Sequence, residues 1–599
     1  MREFSTPLTI DLPTTGNLTD DVVTNARDHG DVVVLSKRST ANATEWLPVT
    51  AAQFHAEVVA VAKGLVAAGI EPGDRLGLMS RTRYEWTLLD YAIWFAGAVT
   101  VPIYETAATA QVQHYLGDSG AKAVVVEDAA HLAKVAACRG DLPDLNHVWS
   151  LDDNAIEVLS RLGADISDAD LEERRTQAGP GDLASIVYTS GTTSEPKGCQ
   201  LTHGGFEFEL SVAVEELDQL FTTEGASTLL FLPLAHVFAR IIQVGCIKAR
   251  VRLGHAADIT RLLEDFESFS PTFILAVPRV FEKVFNTASQ RATADGKGKI
   301  FNAAADTAIA WSRALDGGRM PLRLKARHAV FDKLVYGTLR EKLGGNCEYA
   351  VSGGAPLGER LGHFYRGIGL NVLEGYGLTE TTAAVTVNLP EAQKIGTVGR
   401  PLPGTAVRVA DDGELLFRGG QVFTGYWGRE DATREVLSND GWFHTGDVGE
   451  VDDEGFVRIT GRKKEILVTA GGKNVAPTVL EDRLRGHALV SQCMVVGDGQ
   501  PFIAALITLD AEALPAWAEQ HGKSGGAAEL VDDPDLLAEI QAAVDDANQA
   551  VSKAESIRKF TVLADDWTEE AGLLTPSLKL KRNVVMRELR DEVESLFAR

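Results

Sequence analysis

The sequence predicts an α/β protein. It would have a large N-terminal domain of two α/β layers that ends in a small β-rich, barrel-like subdomain, followed by a small α+β domain. Strand-like apolar runs alternate with helical patterns from residue 51 to residue 373, which is typical of parallel α/β layers. From Gly396 to Thr460 the runs become short and are separated by Gly, Pro and Asp, which favours a β-rich unit. A charged junction, Gly461 to Glu465, then precedes a compact segment of mixed pattern.

These patterns predict a first domain at residues 1–463, with its β-rich subdomain at 396–460, and a second domain at residues 464–599. Apolar periodicity decides the elements within them. The predicted strands of the first domain are 75–80, 98–103, 121–126, 183–187, 228–232, 273–276, 349–352 and 371–373. Its predicted helices are 51–68, 84–96, one that includes 111–116, and two or three long helices between 279 and 343. The second domain is predicted to contain strands 466–468, 493–496 and 502–509, a helix at 478–484 and a final amphipathic helix from about 583.

The composition is that of a globular protein with an acidic surface. Of the 599 residues, 45% are hydrophobic and 24% are charged, and the formal net charge is -26. This charge argues against a nucleic-acid partner held by bulk electrostatics. A local basic pocket for an anion can still exist within such a surface.

Cysteine usage and apolar runs predict a cytoplasmic protein. The five cysteines are scattered and form no Cys-x-x-Cys pair, so we expect reduced thiols without a disulfide framework or a zinc site. The first 15 residues lack the apolar core of a signal peptide. The most apolar region, Trp86 to Tyr104, is interrupted by Asp90, Gly97 and Pro102, which favours a buried helix and a strand over a membrane span.

A loop of small and hydroxyl residues follows the predicted strand 183–187. It runs from Tyr188 to Gly198 and reads Tyr-Thr-Ser-Gly-Thr-Thr-Ser-Glu-Pro-Lys-Gly. Small residues let a backbone wrap around an anion, their N–H and hydroxyl groups can donate to it, and Lys197 adds a positive charge. We therefore predict a polyphosphate site, with an ordinary surface loop as the alternative. A Walker A loop does not fit, because that motif ends in Gly-Lys-Ser/Thr.

The loop resembles the signature of the adenylate-forming superfamily, which includes acyl-CoA synthetases, luciferases and the adenylation domains of peptide synthetases. The resemblance extends from about residue 51 to the end of the chain, and it is closest to bacterial long-chain fatty-acyl-CoA synthetases of the mycobacterial type. It implies that the loop binds a nucleotide, that Thr189 also contacts Mg²⁺ and that Lys197 assists catalysis. The loop residues that it assigns to the nucleotide are Thr189, Ser190, Gly191, Thr192 and Thr193.

A histidine motif follows the predicted strand 228–232. Leu232 to Phe238 reads Leu-Pro-Leu-Ala-His-Val-Phe. A lone histidine is more often structural, but the resemblance places His236 and an aromatic side chain beside an acyl pocket, where they control access. Amino-acid-activating relatives usually have an aspartate in this motif, whereas Val237, Phe238 and Ala239 follow here. The favoured substrate is therefore a carboxylic acid without an α-amino group.

Two glycine-containing motifs follow later predicted strands. Ser352-Gly-Gly-Ala-Pro356 would let a flat ring lie against the backbone, and Glu374-Gly-Tyr-Gly-Leu-Thr-Glu380 lacks the third glycine of a dinucleotide fingerprint. By resemblance, the first motif lines the adenine site with Gly353, Gly354 and Ala355. In the second, the resemblance has Tyr376 stack on adenine, Thr379 bond to the α-phosphate and Glu380 hold Mg²⁺, which prefers oxygen ligands. The remaining nucleotide contacts of this motif are Glu374, Gly375 and Gly377.

The end of the first domain is expected to hold the ribose. Trp442 to Asp447 reads Trp-Phe-His-Thr-Gly-Asp, and a carboxylate with two acceptor oxygens suits paired hydroxyl groups. The resemblance assigns this role to Asp447. It also has Arg462 reach the ribose or a phosphate, and Ile459 pack near the adenosine.

The second domain is expected to supply a catalytic lysine. Leu574 to Arg582 resembles the terminal motif of the superfamily and gives Lys579 that role, although Leu578 replaces the usual glycine and Lys581 is a rival. By resemblance the small domain is a mobile lid that swings about a hinge at Lys464. Gly471 and Gly472 would then face the site during thioester formation.

The reaction that the resemblance implies has two halves. A fatty acid attacks ATP in the presence of Mg²⁺, pyrophosphate leaves, and the thiol of CoA then displaces AMP from the acyl-adenylate. An acyl-AMP ligase that serves a carrier protein is the second choice, a luciferase-like oxygenase is the third, and a non-catalytic nucleotide sensor represents another class. The sequence leaves the oligomeric state open, together with a transient membrane contact that would make the protein peripheral to the inner face of the membrane.

One segment is locally basic in this acidic chain. Arg319 to Arg327 lies among the predicted long helices and contains four arginine or lysine residues and no carboxylate. We predict a solvated helix face there, because runs of charge usually face water.

Overall fold

The computed structural model describes residues 2–39, 41–42, 44–189, 195–569, 571–575 and 579–598. Two large sheets form the first part of the chain. The six-stranded sheet has the order β7-β6-β4-β5-β8-β9 and is parallel except for its last pair. Its strands are β4 (Arg75–Met79), β5 (Val99–Ile103), β6 (Ala123–Val126), β7 (His147–Ser150), β8 (Leu183–Thr189) and β9 (Lys197–Thr202).

The nine-stranded sheet has the order β16-β15-β14-β13-β12-β10-β11-β2-β3. Its centre is parallel, while β3, β15 and β16 pair in the antiparallel sense. Its strands are β2 (Val33–Arg38), β3 (Trp46–Thr50), β10 (Ser227–Leu230), β11 (Arg252–His255), β12 (Phe273–Ala276), β13 (Tyr349–Ser352), β14 (Asn371–Leu378), β15 (Ala383–Val387) and β16 (Arg400–Pro401). The two layered α/β units predicted from the sequence are therefore confirmed.

A five-stranded antiparallel sheet forms the β-rich unit, in the order β1-β17-β18-β19-β20. Its strands are β1 (Glu3–Ser5), β17 (Ala406–Val409), β18 (Glu414–Arg418), β19 (Phe443–Val451) and β20 (Val457–Arg462). The predicted β-rich unit lacked β1, because three residues with one apolar side chain, Phe4, are too few to give a strand signal by themselves. Backbone pairing with β17 makes this segment a strand.

The last part of the chain is a small α+β unit. Two short sheets are present: β21 (Leu467–Val468) with β22 (Asn474–Val475), and β23 (Val490–Val496), β24 (Ile503–Leu509) and β25 (Ile557–Leu563). Two apolar clusters fill it with residues from Leu467 to Phe597. A single final helix was the wrong prediction, since Leu589 separates two short helices there.

Helices cover the sheets and connect their strands. In the first part these are α1 (Asp20–Asp28), α2 (Ala51–Ala67), α3 (Tyr84–Phe95), α4 (Thr109–Ser119), α5 (Ala129–Cys138), α6 (Ala155–Leu162), α7 (Asp168–Arg175), α8 (His203–Glu216), α9 (Asp218–Phe221), α10 (Val237–Ala249), α11 (Leu262–Phe269), α12 (Pro278–Ala294), α13 (Gly298–Asp316), α14 (Leu322–Phe331), α15 (Gly337–Lys342), α16 (Glu359–Gly367) and α17 (Glu430–Val436). The small unit contains α18 (Pro477–Arg485), α19 (Ala513–Gln520), α20 (Ala527–Leu530), α21 (Pro534–Asn548), α22 (Arg582–Glu588) and α23 (Arg590–Phe597).

Helix α3 lies inside the protein, as its apolar sequence predicted. Every residue of α3 except Glu85 is buried. Its one acidic buried residue, Asp90, forms an ion pair with Arg240 of α10, with 2.9 Å between Oδ2 and the arginine Nε, and neither side chain is exposed. Because an unpaired buried charge is costly, this pair fixes α10 against α3. Among the helices that the structure describes, none is long and apolar enough to cross a bilayer.

Candidate active site

The two predicted glycine motifs lie at the carboxyl ends of neighbouring strands of the nine-stranded sheet. Strands β12, β13 and β14 run parallel, with Ala276 opposite Ser352 and Ser352 opposite Glu374. The chain leaves β13 into the Gly353 loop, and the second glycine motif occupies the last part of β14. Parallel strands place their carboxyl ends together, and ligands of open α/β sheets bind at such edges.

Glu374 supports the loop that follows β13. Its Oε1 accepts the backbone N–H of Leu357 at 3.0 Å. Burial raises the pKa of this carboxyl to about 7, and the Leu357 N–H opposes that shift. The structure thus gives Glu374 a contact that holds the loop. A direct nucleotide contact of Glu374 stays a prediction.

Close packing explains the need for glycine at position 353. A Cβ there would lie 3.0 Å from Cζ of Phe238, so the phenylalanine ring covers the buried Gly353. Gly354 and Ala355 are exposed, and Gly354 has a φ of +83°. The aromatic residue of the histidine motif therefore touches the predicted adenine loop, and two residues of that loop remain open to a ligand.

His236 caps the N-terminus of α10. Its Nδ1 accepts the backbone N–H of Phe238 at 3.1 Å. Burial lowers the pKa of His236 to about 4, and the positive charge of Lys579 lowers it as well. The ring is therefore neutral near pH 7, with its proton on Nε2, and can donate one hydrogen bond.

The turn between β14 and β15 is strained. A Cβ at Gly377 would lie 1.4 Å from the carbonyl oxygen of Ala383, so only glycine fits. Thr382 and Ala383 have φ values of 57° and 142°, which are unusual for residues with a side chain. The hydroxyl of Thr382 donates to Gln421 O at 2.7 Å. This geometry fixes the short 3-10 turn Thr379–Thr381, which carries Thr379 and Glu380.

Asp447 joins the β-rich unit to the glycine motif. Asp447 and Arg462 are opposite each other in β19 and β20, with 3.1 Å between Oδ1 and the arginine Nε. The hydroxyl of Tyr376 donates to Asp447 Oδ2 at 2.5 Å. Ile459 packs in the same apolar cluster as Tyr376. The four residues predicted to hold the adenosine thus lie together.

Lys579 reaches this group from the small unit. Its backbone N–H donates to the Thr575 hydroxyl at 3.0 Å, and its carbonyl accepts the Thr575 N–H at 2.8 Å. The Lys579 residue is exposed. The surrounding protein nevertheless removes part of the hydration of its ammonium group, which lowers its pKa. Arg462 lowers this pKa further, and Asp447 and Glu380 act in the opposite direction.

Lys197 is linked to Glu380 through Tyr426. The ammonium of Lys197 lies 5.0 Å from the centre of the Tyr426 ring, and the Tyr426 hydroxyl donates to Glu380 Oε1 at 2.7 Å. Thr189 is opposite Lys197 in the β8–β9 pair. Tyr426 therefore links Lys197 of the six-stranded sheet to Glu380, and the charge of Glu380 also acts on Lys579 of the small unit. Ser190, Gly191, Thr192 and Thr193 lie outside the described residues.

Two comparisons with protein families cover most of the chain. Residues 23–427 match the AMP-binding enzyme family, and residues 464–599 match its C-terminal domain. The chain belongs to the AMP-binding enzyme family. The two matched segments correspond to the part of the protein with the large sheets and to the small α+β unit.

The relatives of this AMP-binding enzyme include a close homologue. The long-chain-fatty-acid–CoA ligase FadD15 of Mycobacterium bovis is 50% identical over 602 residues, which cover 100% of both chains. The solved Mycobacterium tuberculosis fatty acyl CoA synthetase is 24% identical, with a TM-score of 0.62 over 96% of this chain and 99% of its own. O-succinylbenzoate coenzyme A synthetase of Bacillus subtilis, solved with ATP and a magnesium ion, is 20% identical, with a TM-score of 0.66 over 94% of this chain and 98% of its own. These two structures share the fold.

Sequence reasoning missed Tyr426 in this AMP-binding enzyme. Tyr426 lies three residues after Phe423 in a loop without an obvious motif. Its side chain contacts both Lys197 and Glu380. It is held there because the backbone N–H of Phe423 donates to Glu380 O at 2.8 Å and Tyr426 forms an isolated bridge with Cys199. These contacts join segments far apart in the chain, so no local pattern could have revealed them.

The predicted hinge, Lys464, and the predicted thioester-stage residues Gly471 and Gly472 lie near the start of the small unit. Lys464 is exposed in a turn that is closed by hydrogen bonds from Glu465 N and Ile466 N to Arg462 O, at 2.9 and 3.1 Å. Gly471 and Gly472 are exposed at the tip of the β21–β22 hairpin. The charges of Glu380 and Asp447 act on Lys579 of the small unit, and the roles of Lys464, Gly471 and Gly472 stay predictions.

Proposed function

We propose that this AMP-binding enzyme activates a long-chain fatty acid with ATP, releases pyrophosphate, and then transfers the acyl group to CoA. The observation that carries this proposal is the bonded group of Tyr376, Asp447 and Arg462. The charges of Asp447, Arg462 and Glu380 also act on Lys579 of the small unit. Glu380 and Lys579 come from the two matched segments, and Asp447 and Arg462 lie in the stretch between those segments. The full-length similarity to a long-chain-fatty-acid–CoA ligase supports the substrate class.

In the first half-reaction, the fatty-acid carboxylate attacks the α-phosphorus of ATP, and the bond to pyrophosphate breaks. No general base is needed, because the carboxylic acid is ionised near pH 7. Lys579 and Lys197 would stabilise the negative charge that develops on the phosphates, and Thr379 would donate to the α-phosphate. Asp447 would accept the ribose hydroxyls, while Tyr376 and Arg462 hold its carboxylate in place.

The donor chemistry around Glu380 fits a magnesium ion. Glu380 and Thr189 offer carboxylate and hydroxyl oxygens, which Mg²⁺ prefers. The Tyr426 hydroxyl occupies Oε1 of Glu380 and orients the carboxylate. When bound, Mg²⁺ would neutralise phosphate charge.

Glu380→Gln should raise the Mg²⁺ concentration needed for half-maximal adenylation. Glutamine keeps an oxygen for the Tyr426 hydroxyl but removes the negative charge. We expect a rise of about tenfold, equivalent to about 1.4 kcal/mol of binding. A magnesium titration of pyrophosphate release measures it, with Glu430→Gln, an exposed carboxylate of α17, as the control. An unchanged titration for Glu380→Gln would remove this residue from the metal site.

In the second half-reaction, the CoA thiol loses its proton, its sulfur bonds to the acyl carbon, and AMP leaves. In the proposed mechanism Lys579 would stand in the path of the thiol, so the thiol needs the small domain to move. We propose a first domain at residues 1–463 and a lid domain at 464–599 that rotates about Lys464 and brings Gly471 and Gly472 to the cleft. The rotation would break two ion pairs, Arg279–Asp510 at 3.1 Å and Lys283–Glu512 at 2.9 Å.

A coupled assay of AMP release tests the proposed function. The substrates are straight-chain acids from acetate to eicosanoate, each with and without CoA. We expect CoA-dependent AMP release that is greatest for the long chains. Pyrophosphate release without CoA-dependent AMP release would favour an acyl-AMP ligase that serves a carrier protein, and no nucleotide turnover would favour a nucleotide sensor.

We further propose that the protein works in the cytoplasm and contacts the inner face of the membrane transiently. Long-chain acids dissolve poorly in water and partition into bilayers, because each buried CH₂ group is worth about 0.8 kcal/mol. A ligase that collects such a substrate at the bilayer surface would avoid waiting for its release into water.

A further inference from the structure

Helix α14 exposes apolar side chains. None of its ten residues, all of which the structure describes, is buried. Leu322 is 82% exposed and Val330 is 55% exposed, and Leu334 in the next turn is 64% exposed. Single exposed apolar residues are normal, but neighbouring ones with this exposure indicate an interaction surface.

The exposed residues of α14 share one side of the helix. At 3.6 residues per turn, positions separated by four, seven and eight residues lie above one another. This outer stripe consists of Leu322, Ala326, Ala329 and Val330. The same spacing places Arg323 and Arg327 along one border of the stripe and Lys325 along the other.

The opposite side of α14 seats the helix on the protein. The His328 ring stacks on Trp311 with 4.0 Å between centres, and its Nε2 contacts Gly367 O at 2.7 Å. Phe331 packs against the main apolar core. The orientation of the helix is therefore fixed, and the apolar stripe faces away from the protein.

The residues around the stripe carry a net positive charge, whereas the protein as a whole carries a net negative charge. Residues 317–333 contain five lysine or arginine residues and one aspartate, in a chain with a net charge of -26. Arg319, Arg323 and Lys325 form no ion pair with any residue in the described part of the chain, whereas Arg408 on another surface pairs with Glu3 at 2.9 Å. These cations are free to bind an external anion.

We propose that the outer face of residues 319–334, which we name the α14 face, docks on the surface of an anionic lipid bilayer. An apolar stripe bordered by cations suits the boundary between acyl chains and phosphates, because lysine and arginine stems extend their charges to the headgroups. The remaining acidic surface is repelled by anionic lipid, so docking is favoured in this one orientation. The charges alone predicted a solvated helix face, and the exposed leucine and valine add the apolar stripe on which the docking proposal rests.

The α14 face lies on the large domain, apart from the residues that surround Glu380. Helix α14 packs on α13, and α13 packs on α16, which leads into β14. If the proposed function holds, docking would bring the substrate's source close to the enzyme. The docking itself does not depend on catalysis, so membrane binding and acyl-CoA formation can fail separately.

Flotation of the full-length protein with vesicles tests the docking. The vesicles are pure phosphatidylcholine or an equimolar mixture with phosphatidylglycerol. We expect binding to the mixed vesicles that weakens with added salt, and little binding to the neutral ones. Arg323→Ser with Lys325→Ser should weaken binding about 25-fold, since each cation near an anionic surface contributes about fivefold. Leu322→Ser with Val330→Ser should also weaken it.

Matched variants elsewhere on the surface are the controls. Lys553→Ser with Arg558→Ser removes the same charge from exposed positions of the small unit, and Leu47→Ser with Leu162→Ser removes two leucines that are 44% and 48% exposed. These variants should bind like the parent, and all variants should keep the parent's melting temperature and its turnover of a short, soluble acid. Failure of the parent to bind, equal losses in the controls, or a parent dimer that the α14 variants dissociate would overturn the proposal.

Discussion

Lys579→Ala should abolish adenylation and spare thioester formation from a supplied acyl-adenylate. The charges of Arg462, Asp447 and Glu380 act on Lys579 in the structure, and Lys579 would meet the negative charge that develops as pyrophosphate leaves. Removing one such donor commonly costs about 100- to 1000-fold in rate. Pyrophosphate exchange measures the first half-reaction, and thioester formation from acyl-AMP and CoA measures the second.

Lys581→Ala is the matched control for Lys579→Ala. Both lysines follow Thr575, but the backbone N–H of Lys581 donates to Leu573 O at 2.9 Å, and Lys581 is the residue before α22. We expect adenylation by this variant to stay within about threefold of the parent rate, a change of less than about 1 kcal/mol. Equal loss of both half-reactions in Lys579→Ala, or a larger loss in Lys581→Ala, would contradict the assignment of Lys579.

Lys464→Pro should have the reverse effect, with thioester formation lost and pyrophosphate exchange retained. Proline fixes φ near -65°, so the backbone could no longer make the large change that a hinge requires. In the present pose the turn is closed by Glu465 N and Ile466 N, and Lys464 does not have a positive φ. Because a proline also restricts the residue before it, we expect adenylation to fall by less than about tenfold and thioester formation by more than about 100-fold.

Lys464→Ala separates the backbone effect from the loss of charge. Alanine removes the ammonium but leaves both dihedral angles free, so both half-reactions should stay near the parent rates. Stopped assays of the two steps, measured on the same preparations, give the comparison. If exchange vanishes in Lys464→Pro, or if Lys464→Ala loses thioester formation equally, the hinge lies elsewhere or depends on charge.

Local pattern was sufficient for many elements of the fold, although β2, β3, β7, β9 and β11 of the large sheets were not predicted. Helix α2 was predicted at 51–68 and spans Ala51–Ala67, and β13 was predicted at its observed bounds. Helix α2 is buried on the side that its periodicity defines, and β13 is a short apolar run that is buried on both faces. The β1 strand was missed, because its partner β17 lies about 400 residues away and supplies the pairing.

For the candidate site too, some features could be predicted from short stretches of sequence and others depended on tertiary packing. The sequence by itself determined which residues could bind a phosphate, a ribose or a metal ion, because the loop at 188–198 and the motifs ending at Glu380 and Asp447 carry suitable donors and acceptors over short stretches. Only the tertiary structure decided that Tyr426 links Lys197 to Glu380, that Phe238 is the reason for glycine at 353, and that the apolar side of α14 faces outward. Each of these depends on which distant segments pack together, and the free energy of that packing is summed over the whole chain.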